Sequence, residues 1–145
     1  MMVYATIITM SNTHMGAKMN RSSTREETVK LLYLISVNGQ YNPEDYSEEI
    51  LHNLADISER LDDIDTIISD NLIDWTIDRL NYVDKAIIRY AIYEMKYCDL
   101  PYEIAIDEAV ELTKKYSNLD DDQAKSFNNR LLDNIRKKII GDHPR

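Results

Sequence analysis

The stretch VDKAIIRYAIYEMKYCDLPYEIAIDEAVELTKKY, Val83 to Tyr116, decides the fold. Its first half sets Val83, Ile87, Ala91, Met95 and Cys98 at helical spacing, with Ile88 and Ile92 alongside. Apolar cover that wide exceeds the stripe of a surface helix and predicts a central, buried one. Asp99, Leu100 and Pro101 then break the pattern, because proline has no amide hydrogen for a preceding helix and suits the first turn of the next. In the second arm Ala105, Ala109, Leu112 and Tyr116 share one face, while Asp107, Glu108, Glu111, Lys114 and Lys115 fall elsewhere. The stretch therefore predicts a helical hairpin with one buried arm and one amphipathic arm.

Upstream, Ile50, Leu54, Ile57, Leu61, Ile64, Ile68, Leu72 and Trp75 recur at steps of three or four, predicting one long helix over Tyr46 to Leu80 with a bend near Leu61–Asp63. Trp75 reads as an anchor between subdomains, with Ile77 and Leu80 continuing the core. Thr24 with Glu27, or Ser23 with Glu26, makes a capping-box start for a first helix that Gly39 stops. Asn38 to Asp45 is rich in turn formers and too short for a further helix at 1.5 Å per residue. Downstream, Asp120, Asp121 and Asp122 suit the start of a last helix whose buried face is Ala124, Phe127, Leu131, Ile135 and Ile139. Arg136, Lys137 and Lys138 suit its end, before Gly141.

A chain of 145 residues is in the single-domain range and long enough to bury a core. Three glycines and three prolines argue against a turn-rich β fold. The single cysteine, Cys98, excludes an internal disulfide framework and reads as a small core residue. No apolar run reaches the roughly 20 residues of a membrane span. His14, His52 and His143 are scattered, and neither a nucleophile–base pair nor a Gly-rich phosphate loop can be assembled, so an enzyme is not expected. Asp62, Asp63 and Asp65 lack the alternating ligands and glycine turn of a calcium loop and read as a solvated face.

The net charge of −9 runs against phosphate binding, but its distribution matters more than its sum. Residues 41–80 hold 12 acidic and 2 basic side chains, so the surplus lies in the middle. That middle can face solvent or a basic protein, leaving both ends of the chain free to meet phosphate. Lys85, Arg89 and Lys96 fall near one line of the buried arm and could extend a basic track.

Three segments in order, VDKAIIRYAIYEM, LPYEIAIDEAVELTKKY and KSFNNRLLDNI, resemble the hallmark segments of the NusB family of bacterial transcription antitermination factors. The resemblance covers about Arg21 to Ile140 and is densest from Trp75 onward. It implies an all-α fold, a compact bundle of two helical subdomains, here with the N-terminal one shortened to two main helices. Residues 1–20 are then a disordered extension, with translation expected to start at Met19, residues 21–140 one helical domain, and residues 141–145 a frayed end. No cofactor and no metal are implied.

The family also implies a cytoplasmic protein that binds boxA-like single-stranded RNA together with ribosomal protein S10, within an RNA polymerase antitermination complex on ribosomal operons. Carried over, RNA contacts fall on Arg21, Arg25, Lys30, Tyr33, Lys85, Lys125, Phe127 and Arg130, and protein-partner contacts on Glu94, Tyr97 and Glu108. Several positions depart from the family pattern. Ser22 replaces an arginine, Asp107 an asparagine, Asn128 a valine and Arg130 a glycine. Arg130 either adds a phosphate contact or blocks a close backbone approach. On periodicity alone Phe127 is core and Arg25 a solvated first-turn side chain. The departures also motivate a second reading, a protein-interaction scaffold with weak or no RNA binding.

Overall fold

Residues 20–117 and 123–140 are described by the computed structural model, and all regular structure among them is helical. The order is α1 (Arg21–Asn38), a 3-10 turn (Pro43–Asp45), α2 (Glu48–Ser58), α3 (Leu61–Asn71), a second 3-10 turn (Ile77–Arg79), α4 (Tyr82–Tyr97), α5 (Tyr102–Tyr116) and α6 (Gln123–Ile140). The chain divides into two compact units, one through Ser58 and one from Glu59 onward. The expected N-terminal extension, the Met19 start, the aspartates before α6 and the C-terminal end lie outside the described residues.

In the first unit α1 packs on α2, with Val29, Leu31 and Leu32 of α1 and Ile50, Leu54 and Ile57 of α2 buried. Two polar contacts register the pair: the Asn53 amide donates to Thr28 Oγ1 at 3.0 Å, and the Thr24 hydroxyl donates to Glu49 at 3.4 Å. Neither capping box starts α1. Asn20 caps it instead, its side-chain oxygen accepting from the Ser23 amide at 2.8 Å. The Gly39 stop holds as expected: φ is 77° and its amide donates to the Ile35 carbonyl at 2.7 Å. The expectation of two main helices here is also met, with only a three-residue 3-10 turn between them.

The single long helix over Tyr46–Leu80 is a misreading. Its span contains α2 and α3, broken around Glu59–Arg60, and a non-helical turn after Asn71. The apolar spacing runs on in phase across the first break, so periodicity could not register it. At the second, the Asn71 side chain takes the Ile67 carbonyl at 2.8 Å and Asp74 adopts φ 61°, which ends the helix through local side-chain competition.

The second unit is built around α4, which packs against α3, α5 and α6. Ala86, Ile87, Ile88, Ala91, Ile92 and Met95 are all buried, as the width of the apolar surface predicts. Pro101 stands immediately ahead of α5, whose Ala105, Ala109 and Leu112 face inward. Asp99, at φ 56°, turns the chain, and the Leu100 amide closes back on the Glu94 carbonyl at 3.1 Å. Cys98 is only half-buried at the end of α4.

The buried face of α6 differs from the expected one. Asn128, Leu131, Leu132 and Ile135 point inward, while Phe127 is 36% exposed. Asn128 is fully buried because it has partners there. Its amide nitrogen donates to Asp84 at 3.0 Å and to Thr113 at 3.1 Å, and the Ser117 hydroxyl donates to the same Asp84 oxygen at 2.6 Å. The Thr113 hydroxyl is itself committed to the Ala109 carbonyl at 2.8 Å. A carboxylate and a hydroxyl with its proton engaged both demand a donor, which fixes which way the Asn128 amide faces. This network of α4, α5 and α6 rotates α6 by about one position from the apolar count and turns Phe127 outward.

Candidate functional site

In the first unit, α1 carries four of the RNA-contact candidates. Arg21 and Lys30 are exposed and Tyr33 is 39% exposed, whereas Arg25 is only 4% exposed. Lys30 pairs with Glu27 at 3.3 Å, one helical turn away, in a solvent-facing contact of the kind that contributes little and exchanges readily. The burial of Arg25 weighs against both readings the sequence left open for it, a solvated side chain and a phosphate ligand.

The basic track expected on the buried arm does not form. Lys85 is buried, with its ammonium 5.6 Å from the Tyr82 ring centroid. Arg89 makes a two-pronged pair with Asp65, both bonds 2.8 Å, and Lys96 pairs with Asp63 at 2.7 Å. These contacts tie α4 to α3, so Asp63 and Asp65 are interhelical partners and not the solvated face expected of them. The Lys96 ammonium and the Tyr97 hydroxyl, both hydrogen-bonded to Asp63, hold its carboxyl below the usual carboxylate range. The same contacts push the Lys96 and Tyr97 pKa values up.

Among the protein-partner candidates, Glu94 is 2% exposed and so is not presented at the surface. Tyr97 is 36% exposed, its ring covered by the Arg60 guanidinium at 4.7 Å, and Glu108 is half-buried. Among the described residues no group of His, Cys, Asp and Glu is arranged to hold a metal ion.

At the other end of the second unit lies the feature the sequence did not foretell. Phe127 on α6 meets Trp75, in the turn between α3 and the second 3-10 turn, with ring centroids 6.3 Å apart and planes tilted by 57°. Trp75 is 46% exposed, so within this unit it is a surface ring and not a buried anchor. The Arg79 guanidinium sits 4.8 Å from the Trp75 ring centroid. The two rings open onto a pocket of about 190 Å³, completed by Asn71, Leu72, Ile73, Arg130, Leu131 and Asn134. Arg130 is exposed at the pocket and Lys125 is half-buried two residues before Phe127. A signal for the site existed in the sequence, a tryptophan and arginine four residues apart. The helical reading of Leu72–Trp75 placed them on the wrong element.

Comparison with known proteins bears on this geometry. The model of the NusB family matches residues 22–137. The chain is 37% identical to the transcription antitermination protein NusB of Clostridium botulinum, covering 83% of this chain and 100% of that one. It is 33% identical to its Bacillus subtilis counterpart, covering 83% and 98%. Among solved structures, T. maritima NusB superposes with a TM-score of 0.71 at 28% identity, covering 89% of this chain and 96% of that one. A structure of antitermination factors NusB and NusE in complex with double-stranded RNA gives 0.68 at 25% identity, covering 81% and 96%.

Proposed function

This chain belongs to the NusB family, and we propose from that premise that it binds a boxA-like RNA together with ribosomal protein S10 in support of ribosomal operon transcription. The observation that carries the reading is Phe127. It is a large apolar side chain, 36% exposed at the edge of the helix face that builds the core, beside the exposed Arg130. Ring contact with an unpaired base contributes about 1 to 3 kcal/mol, which repays the exposure of such a residue.

Phosphate neutralisation would fall to the exposed cations Arg21 and Lys30 in the first unit and to Lys125 and Arg130 in the second, with Tyr33 supplementing them. Arg25 and Lys85 are buried, which weighs against a place for them in this set. On the protein side, Tyr97 and Glu108 are the accessible candidates, and the acidic residues of 41–80 suit a basic partner in rate and specificity. The antitermination complex around RNA polymerase, a cytoplasmic site of action and the lack of a catalytic step belong to the same reading. No helix among the described residues is long and apolar enough to cross a membrane.

A specific observation also favours the scaffold alternative, in which S10-type contacts persist and RNA binding is weak. Of the basic residues expected along α1 and α4, Arg25 and Lys85 are buried and Arg89 and Lys96 are occupied by aspartates. A salt-titrated RNA-binding assay with and without S10 decides between the two. The RNA-binding reading expects affinity that rises with S10 and falls with salt by roughly 0.7 log units per decade for each phosphate neutralised on a single strand. Salt-independent or undetectable binding in both arms would leave the scaffold alone standing.

A further inference from the structure

Tyr97 is held more tightly than an exposed tyrosine needs to be. Side chains at a surface ordinarily exchange rotamers on the picosecond-to-nanosecond scale. Here the hydroxyl donates to Asp63, and the same carboxylate oxygen accepts from the Lys96 ammonium at 2.7 Å. The Arg60 guanidinium lies 4.7 Å from the ring centroid, and the Tyr93 ring lies 6.5 Å from it at a tilt of 33°. Tyr93 in turn meets Tyr90 edge-on at 5.5 Å, and both of these are buried. A ladder of three rings thus runs along α4 from the core to the surface and stops at Tyr97, 36% exposed.

Stapling α3 to α4 does not account for this arrangement. That task falls to Arg89 and Asp65, whose two parallel 2.8 Å bonds join side chains more enclosed than those of Lys96 and Asp63. An ion pair as exposed as that of Lys96 and Asp63 stabilises a fold least. What the cluster does is remove the freedom of an aromatic ring before a partner arrives. Tyrosine and arginine are among the side chains that most often carry the energy of a protein interface, and a ring fixed in advance loses little rotamer entropy on docking. We infer that Asp63 is a positioning residue of the protein-partner surface, holding Tyr97 in the pose in which it meets S10. The inference rests on the S10 reading and extends it, because it brings Asp63 and Arg60 to a surface where Glu94 is buried and Tyr97 is the exposed aromatic.

The test titrates S10 into the full-length protein by calorimetry, with the far-ultraviolet circular dichroism of every variant recorded alongside. Tyr97→Ala is expected to weaken binding about ten-fold, the loss typical of an anchoring interface side chain. Asp63→Ala is expected to weaken it about three-fold, within the range for freeing one immobilised side chain. The double variant gives the readout that a merely structural role would not move. With Tyr97 gone there is no ring left to position, so Asp63→Ala in the Tyr97→Ala background is expected to cost almost nothing further. If Asp63→Ala lost helicity, Tyr97→Phe serves in its place, since it keeps the ring and cuts the tether to Asp63. That variant is also expected to bind about three-fold more weakly.

Equal losses from Asp63→Ala in the two backgrounds, or undiminished binding by Tyr97→Phe, overturn the positioning role. S10 binding that Tyr97→Ala leaves unchanged overturns the inference and leaves the S10 reading intact. Absence of S10 binding by the wild-type protein overturns both.

Discussion

The side-chain amide of Asn128 on α6 donates 3.0 Å to the carboxylate of Asp84 at the start of α4, and both side chains are buried. A buried carboxylate is tolerated only with such partners, and here Ser117 supplies a second. Asp84→Ala would leave the Asn128 amide and the Ser117 hydroxyl without their shared acceptor. The expected cost is about 1 to 3 kcal/mol in urea unfolding. A change below 0.5 kcal/mol would show that the network is not a source of stability.

The fork between Arg89 and Asp65 is structural in the same sense. Lysine keeps the charge but cannot make two parallel bonds, so Arg89→Lys is expected to lower stability by roughly 1 kcal/mol. RNA affinity and its salt slope should not move. For Arg89→Met, which removes the charge, a reduced slope would return Arg89 to the RNA surface.

Around Asp63 the expected effect is one of pH. Its carboxyl titrates below the usual range, first because of the Lys96 hydrogen bond and then that of Tyr97. The resulting stabilisation is present above the ordinary carboxylate pKa and is lost as pH falls through the lowered native value. Lys96 and Tyr97 are shifted upward, so their share is present below their ordinary values and is lost as pH rises through the raised ones. Thermal melts of wild type and Asp63→Asn should therefore converge at acid pH and separate near neutrality. A constant gap from acid to neutral pH would exclude this cluster as its source.

Gly39 closes α1 at φ 77°, and a methyl group there would meet nothing within 4 Å. The strain of Gly39→Ala is therefore purely of the backbone, about 1 kcal/mol, seen as a lower unfolding midpoint without loss of helicity. An unchanged midpoint would mean that this turn relaxes into another conformation.

How far the sequence reached differs between elements. The hairpin of α4 and α5, the Gly39 stop and the last helix were legible because each depends on local features: the width of an apolar face, a proline, a residue free to adopt positive φ. The break between α2 and α3 was not legible, because an apolar period that keeps its phase is blind to a gap in the backbone.

The order of the helices and the family to which they belong were determined by the sequence itself, through spacing and through three segments whose residues stand close together in the chain. Which charges remain available to a ligand was decided only by tertiary structure. Arg25, Lys85 and Glu94 look exposed as letters and are buried as side chains, and Arg89 finds its partner 24 residues away. The exchange of Asn128 for Phe127 on the inner face of α6 has the same origin. A buried polar group needs a partner, and only the packed neighbours Asp84 and Thr113 supply one, so the phenylalanine turns outward to form the pocket with Trp75.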